Sequence, residues 1–500
     1  MAITWALIFG LILIAWWFVK KKYSYWENRG VPFIKPIIPF GNLKGVGKTV
    51  SMKDFVQDIY AKYKGTASLI GGYFFCEPVA IVTDMDLIRN ILIKDFSYFQ
   101  DRKVYYNEKL EPMSAHMFNL EGEKWRLVRQ KLSPTFTSGR IKKMFPMVLE
   151  VANRFIDLLN PIVAEGSVVE IRDLLMRFTI DVSGTIIYGI ECNSMKDPDT
   201  EFRLKGRRIF NNPRHGELAR LFMETFPEMA RILRMKQFAD DVTDFFMKII
   251  RQTIEYRESN DVHRNDFMDL LIQLKNTGTL EGHDGQIGKI SDEEIAAQAF
   301  IFFAGGFETT ASTMGFVLYA LCLNQEIQDR VRKEIGDVIE EHGGKFTYDA
   351  MMSMKYLHRV VDETLRIYSQ ATYLFRKVAH DYAIPGSKTV LEKDTVVIIP
   401  VAGFNIDPEI YPNPEVFDPD NFLPERIAQR DPFTYMPFGE GPRNCIGSRL
   451  AKMVTYAGLV TLLQNYRFKP SEKTPVPIEY EPDVQVLKSK TDFYFFVEKL

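Results

Sequence analysis

Cysteine is scarce in this chain, with four in 500 residues, and no two of Cys76, Cys192, Cys322 and Cys445 form a C-x-x-C pair. That scatter argues against a structural zinc site and against a disulfide framework, so the body of the chain is expected to face a reducing compartment. Charge of one sign is also missing. The formal net charge of −2 gives no reason to expect nucleic acid as a partner. Low-complexity linkers, internal repeats and long charge blocks are absent too, so nothing requires the body to be divided. No dinucleotide or flavin fingerprint is apparent, and any reducing equivalents must therefore come from another protein. What remains, 46% hydrophobic and 26% charged residues, is ordinary for a globular chain with a large core.

The one departure is the N-terminus. Ala2 to Val19 is apolar and uncharged, with Trp5, Trp16 and Trp17 towards its ends and Lys20, Lys21 and Lys22 directly after. As a helix it spans about 27 Å, enough for the endoplasmic-reticulum bilayer. It lacks the charged n-region and small-residue cleavage site of a signal peptide, so an uncleaved signal-anchor is expected over residues 1–20. The lysines then leave the rest of the chain in the cytosol. Residues 21–45 are basic and proline-rich, with Pro32, Pro36 and Pro39, and read as a stiff hinge. Residues 46–500 read as one domain.

Within that domain the patterns are mainly α with minor β-sheets. Apolar residues recur at three and four spacing from Trp125 to about Leu274 (Met144, Val148, Val151, Phe155, Leu158). Ser291-Asp292-Glu293-Glu294 is a capping box that opens a long apolar helix running past Leu318. Further helices are expected over Gln325–Glu341, Leu357–Tyr368 and Ser448–Gln464, with strands at Val79–Val82, Val396–Pro400 and Asp492–Val497.

Near the C-terminus stands Phe438-Gly439-Glu440-Gly441-Pro442-Arg443-Asn444-Cys445-Ile446-Gly447. A thiolate presented to a metal from a tight loop needs backbone N–H groups aimed at the sulfur, which explains the glycines. This F-x-x-G-x-R-x-C-x-G pattern, and the chain as a whole, resembles a cytochrome P-450, a haem-thiolate monooxygenase of the microsomal kind. The sub-group it is most similar to, an insect detoxification clan, is carried by softer segments. These are Tyr25-Trp26-Glu27-Asn28-Arg29-Gly30, Gly441-Pro442-Arg443 and Leu132-Ser133-Pro134-Thr135-Phe136-Thr137-Ser138-Gly139.

The resemblance extends to other stations. Trp125 and Arg129 match W-x-x-x-R; alone they read as a core indole beside a surface guanidinium, while the family places both on a haem propionate. Arg443 and Arg376 fall where it supplies further propionate partners, since guanidinium matches carboxylate bidentately. Glu363 and Arg366 match E-x-x-R, with Arg426 of Pro424-Glu425-Arg426 expected as third member of a structural triad. Ala304-Gly305-Gly306-Phe307-Glu308-Thr309 matches the oxygen-activating segment. There Thr309 and Glu308 are the expected catalytic pair, because reductive O–O cleavage needs protons delivered to a dry site. Ser369-Gln370 and Ile427 depart from the family pattern, and the first, in a segment that usually lines the pocket, weakens inference about substrate.

The resemblance thus implies a cytochrome P-450 fold, with haem b (iron protoporphyrin IX) between the long helix and the cysteine loop and Cys445 as the metal ligand. It implies electrons from NADPH through cytochrome P-450 reductase, with cytochrome b5 as a second donor. A cationic face at Arg126, Arg129, Lys131, Lys142 and Lys143 is a candidate docking surface, or simply a solvated one. The implied reaction inserts one atom of O2 into a lipophilic small molecule, a xenobiotic, insecticide or plant toxin. Oxidation of an endogenous hormone or fatty acid, and isomerisation without oxygen, are the alternatives. The substrate pocket is expected to draw on Tyr105, Tyr106, Met113, Met117, Phe118, Phe300, Ala304, Ala371–Leu374 and Val484–Leu487.

Overall fold

The computed structural model describes residues 2–166, 168–482 and 486–500. Its axis is the helix Asp292–Leu323. The capping box forms as expected: Glu294 N donates to Ser291 Oγ at 3.1 Å and Ser291 N to Glu294 Oε2 at 2.9 Å. From Thr310 to Cys322 this helix is buried on every side, which is why its sequence is apolar all round. Helices Ile171–Ser183 and Ser448–Asn465 pack along it.

Four strands make the larger sheet: β1 (Leu69–Phe74), β2 (Glu77–Val82), β4 (Leu374–Lys377) and β7 (Val396–Ile399), in the order β1-β2-β7-β4. β2 runs parallel to β7, with Val79 opposite Val396, and β4 is antiparallel to β7, with Arg376 opposite Val397. A second sheet orders β3 (Val168–Glu170), β9 (Tyr494–Lys499) and β8 (Tyr466–Pro470), and a ribbon pairs β5 (Tyr382–Ala383) with β6 (Val390–Leu391). β3 interrupts the stretch expected to be mainly helical. Its partner β9 lies more than three hundred residues away, so no local pattern announces it.

The proline-rich segment after the first helix is bound to the sheet. Gly71 N donates to Pro32 O at 2.8 Å, Ile34 N to Gly71 O at 2.9 Å and Asn42 N to Tyr73 O at 2.7 Å. Extended backbone that cannot become helix finds its partners at the β1 edge. Trp26 is wholly buried there and donates Nε1–H to Gly72 O at 2.8 Å. A Cβ on Gly71 would lie 2.4 Å from the Trp26 ring, so position 71 must be glycine. The first helix itself is Ala2–Tyr23, with Trp5, Trp16 and Trp17 exposed.

Candidate active site

The cysteine loop is shaped by two glycines in the left-handed region, Gly439 (φ 69°) and Gly441 (φ 76°). At Gly441 an added Cβ would sit 2.0 Å from Leu92 O, so the loop passes against backbone and tolerates no side chain. Cys445 N donates to Phe438 O at 2.8 Å and Asn444 N to Gly441 O at 3.0 Å, closing the turn before helix Ser448–Asn465 begins. Phe438 therefore fixes the loop through its carbonyl, while its ring is half-buried against the core.

The Cys445 sulfur presents open surface, yet protein surrounds it closely enough that desolvation raises its pKa. Against that stand the Gly447 N–H and the charges of Arg129 and Arg102, which favour the thiolate. Arg129, on helix Gly122–Leu132, grips the loop itself: Nη1 donates to Asn444 O at 2.9 Å and Nη2 to Asn444 Oδ1 at 2.8 Å. One turn earlier on that helix Trp125 is buried, with the Arg443 guanidinium 4.2 Å above its ring.

Arg443 is committed to main chain. Nε donates to Gln100 O (2.7 Å), Nη2 to Leu120 O (2.6 Å), and Nη1 to Met117 O and Phe118 O (3.3 and 3.4 Å). At most one of its five N–H groups is left for another acceptor. Arg376 is the opposite case. It is buried, donates Nη1 to Phe375 O at 2.8 Å, and leaves Nε without a partner.

Arg102 was missed in the sequence, because no motif surrounds it. It donates Nη2 to Arg443 O at 3.0 Å and lies 4.3 Å from the Phe118 ring. Its charge acts on Cys445, Arg376 and Arg443 alike. Burial, then the neighbouring cations, lowers Arg376 to about 9 and Arg443 to about 8. Burial takes Arg102 to about 10. Among the described residues, the only carboxylate paired with any of Arg102, Arg129, Arg376 and Arg443 is Asp101, 3.8 Å from Arg443. Four crowded guanidiniums with one distant carboxylate are an incomplete charge set. Haem carries two propionates, and the cluster has the charge and the free Arg376 Nε to receive them.

The central helix presents Gly305 as exposed backbone; a Cβ there would meet nothing within 4 Å. Thr309 Oγ1 donates back to Gly305 O at 2.6 Å. Glu308 turns away from it to Arg172 of helix Ile171–Ser183, with 2.7 Å between Oε1 and Nη2 and both side chains 12% exposed. No hydrogen bond joins Glu308 to Thr309 among the described residues.

Of the expected pocket residues, Phe118 is 41% exposed, and Tyr106, Ala371, Thr372, Tyr373, Leu374 and Val486 are half-buried. Tyr105, Met113, Met117, Phe300 and Ala304 are buried in packing, and Val484 lies outside the described residues. Glu363 and Arg366 form a wholly buried bidentate pair, both bonds 2.7 Å. Arg426 does not join them. It pairs with Asp418 at 2.9 Å near the surface, and the remaining donors to Glu363 are Asp418 N (2.9 Å) and Asn421 Nδ2 (3.1 Å). Of the proposed docking cations, Arg126, Lys131 and Lys142 are already paired with Glu123, Glu294 and Asp349.

Residues 31–496 match the family model described as Cytochrome P450. The chain is 44% identical over 492 residues to "Probable cytochrome P450 6a21" of Drosophila melanogaster, covering 98% of this chain and 97% of that protein. It is 44% identical over 504 residues to "Cytochrome P450 6a8" of the same fly, covering 100% of each. With "Cytochrome P450 6A1" of Musca domestica the identity is 42% over 494 residues, 98% of this chain and 96% of that one.

Proposed function

The chain belongs to the cytochrome P450 family, and from that premise we propose that it inserts one atom of O2 into a lipophilic small molecule, foreign to the organism, with electrons from NADPH delivered by a separate reductase. As a family member it is a monooxygenase-type oxidoreductase, and its cofactor is haem b with an axial cysteine thiolate. Cys445 is the residue placed to be that thiolate. The observation that carries this reading is the charge set around it: buried Arg376 and Arg443 with partly buried Arg102 and Arg129, short of carboxylates.

In this reading Arg376 and Arg102 bind the propionates, with Trp125 beside them. Arg129 acts through Asn444 to hold the sulfur in position, and Arg443 braces the 117–120 loop over the cleft. The bound haem supplies activation of O2 by electrons that the thiolate helps to push. Gly305 lets a ligand approach the helix backbone. Thr309 Oγ1 holds the proton nearest that point, which it donates in a hydrogen bond to Gly305 O and would redirect by rotating. Glu308 would resupply Thr309 after parting from Arg172 and taking a proton from water. Phe118, Tyr373 and Leu374 exclude water and favour an apolar substrate.

The same reading puts the protein on the cytosolic face of the endoplasmic reticulum. Support comes from helix Ala2–Tyr23 with its terminal lysines, and from exposed Ile38, Ile232 and Leu233 on the body. The test is spectroscopic and then functional. A dithionite-reduced, carbon monoxide-treated membrane fraction is expected to show the strongly red-shifted Soret band of thiolate ligation. With a donor flavoprotein, oxygen consumption is expected to depend on NADPH and substrate. Product formed without O2 and without NADPH would favour the isomerase alternative.

A further inference from the structure

Two buried polar side chains lack full partners where the loop carrying Phe118 crosses the central helix. Gln298, 1% exposed, uses one end of its amide: Oε1 accepts from Met117 N at 2.9 Å. That bond fixes which end is the oxygen. The other end is the NH2 group, and Nε2 has no acceptor among the described residues. His116, 2% exposed and next to Met117 in the chain, has its Nδ1 equally unpaired. Its carbonyl is already engaged, accepting from Asn119 N at 2.9 Å and Leu120 N at 3.0 Å. The walls here are aromatic: the His116 ring centroid is 6.4 Å from those of Phe238 and Phe300. Native interiors seldom leave such groups unpaired, and each costs free energy until something pairs it.

The helix register ties this spot to the active site. At about 100° per residue, Gln298 lies within about 20° of both Gly305 and Thr309 on one face of helix Asp292–Leu323. It stands two turns above Gly305, about 10 Å along the axis. Met117, which it holds, precedes Phe118, whose ring is 41% exposed. Met113 and Met117 flank His116 in the loop, and thioether side chains repack readily round a ligand.

We propose that Gln298 Nε2 and His116 Nδ1 together form a subsite for a hydroxyl group, and that the substrate is a lipophilic alcohol oxidised two helical turns, about 10 Å, from that hydroxyl. This deepens the function proposed above and rests on it for the haem and for the place of oxidation. The amide NH2 only donates, so the ligand atom must accept. Burial keeps the imidazole neutral, at about 3, so Nδ1 accepts or donates according to tautomer. A hydroxyl meets either case, because its oxygen accepts while its proton is free to donate. A carbonyl or an ether meets only one, and a charged group would be desolvated against aromatic walls. The alcohol is favoured over its deoxy analogue because the analogue leaves both protein groups unpaired.

The experiment measures Kd of tethered probes for the ferric holoprotein, read from the Soret band without turnover. Each probe is an imidazole, which binds the iron, carrying an alkyl chain of four to twelve carbons. One series ends in a hydroxyl and the other in a methyl group in its place. Wild type is expected to prefer the hydroxyl end about tenfold at one intermediate length, and not at the shortest or longest. In His116→Phe and in Gln298→Met that preference is expected to vanish. Gln298→Met also frees Met117 N, but such a loss weakens both probes of a pair alike and leaves their ratio unchanged. No hydroxyl preference at any length would mean that a bound water alone serves the two groups. A preference equal at all lengths, or one that survives in either variant, would equally overturn the subsite. The two substitutions lie on different elements, so whichever variant loads haem decides, and if neither does the wild-type length profile still does. A holoprotein with the chain-length optimum that oxidises no substrate would count against the proposed function and leave the subsite standing.

Discussion

Arg129 reaches past its own helix to hold Asn444, the residue before Cys445, with both Nη groups, at 2.9 and 2.8 Å. The sequence suggests for Arg129 a haem propionate; the structure gives it the loop that carries the sulfur. A planar fork holds an amide side chain and a carbonyl together, which an ammonium does not. Arg129→Lys is therefore expected to keep the fold but lower the fraction of protein with the thiolate-type carbon monoxide spectrum. Arg129→Ala is expected to lower it further, with the loss in each case exceeding any change in unfolding midpoint. Equal spectra in all three proteins would return Arg129 to a surface role.

The arginine cluster predicts effects of opposite sign with and without cofactor. Arg376 is buried with its Nε unpaired and is raised in energy by Arg102. Without haem, Arg376→Met removes an uncompensated charge and is expected to stabilise the apoprotein by about 1–4 kcal/mol. With haem it removes a propionate partner and is expected to speed haem loss several-fold. Urea unfolding of the apoprotein and transfer of haem to apomyoglobin read the two effects separately. Destabilisation in both states would mean that Arg376 serves packing alone.

How far the sequence carried these conclusions differs by element. The helix Asp292–Leu323 was legible to within a few residues, because its capping box and its largely apolar sequence are both local signals. Helix Gln325–Glu341 was legible to its ends because its inward residues, Gln328, Val331, Ile335 and Val338, recur at three and four spacing between charged ones. β3 was not, since its only support is a strand from the far end of the chain. The cysteine loop was readable because its glycines are forced by backbone contact. Arg102 was unreadable because its meaning lies in three other arginines that folding brings to it. Glu308 and Thr309 were paired by resemblance to the oxygen-activating segment, yet adjacent helix positions point about 100° apart, and Arg172 decides where Glu308 goes.

The pair Glu363–Arg366 and the displaced Arg426 make a direct comparison. Breaking the buried pair with Glu363→Ala strands a guanidinium and is expected to cost roughly 3–5 kcal/mol. Arg426 is 47% exposed on Asp418, so Arg426→Ala is expected to cost less than about 1 kcal/mol. Denaturant midpoints of the two variants check this. A large loss in Arg426→Ala would restore it to a triad with the other two.

The last prediction concerns the proton supply. Thr309 donates to Gly305 O and Glu308 is bound to Arg172, so in this structure neither side chain touches the other. Delivery then needs two local movements, rotation of a hydroxyl and release of a carboxylate. Thr309→Ser keeps the hydroxyl and is expected to retain most of the product formed per NADPH. Thr309→Ala removes it and is expected to divert most of the electrons to peroxide or water, with NADPH oxidation largely preserved. Arg172→Gln frees Glu308 without touching the cleft, so it is expected to leave coupling intact while changing the rate of turnover. If Thr309→Ala couples as well as wild type, the proton reaches the site by another path. If Arg172→Gln uncouples as strongly as Thr309→Ala, the Arg172 pair holds Glu308 in its working position, and release is not a step.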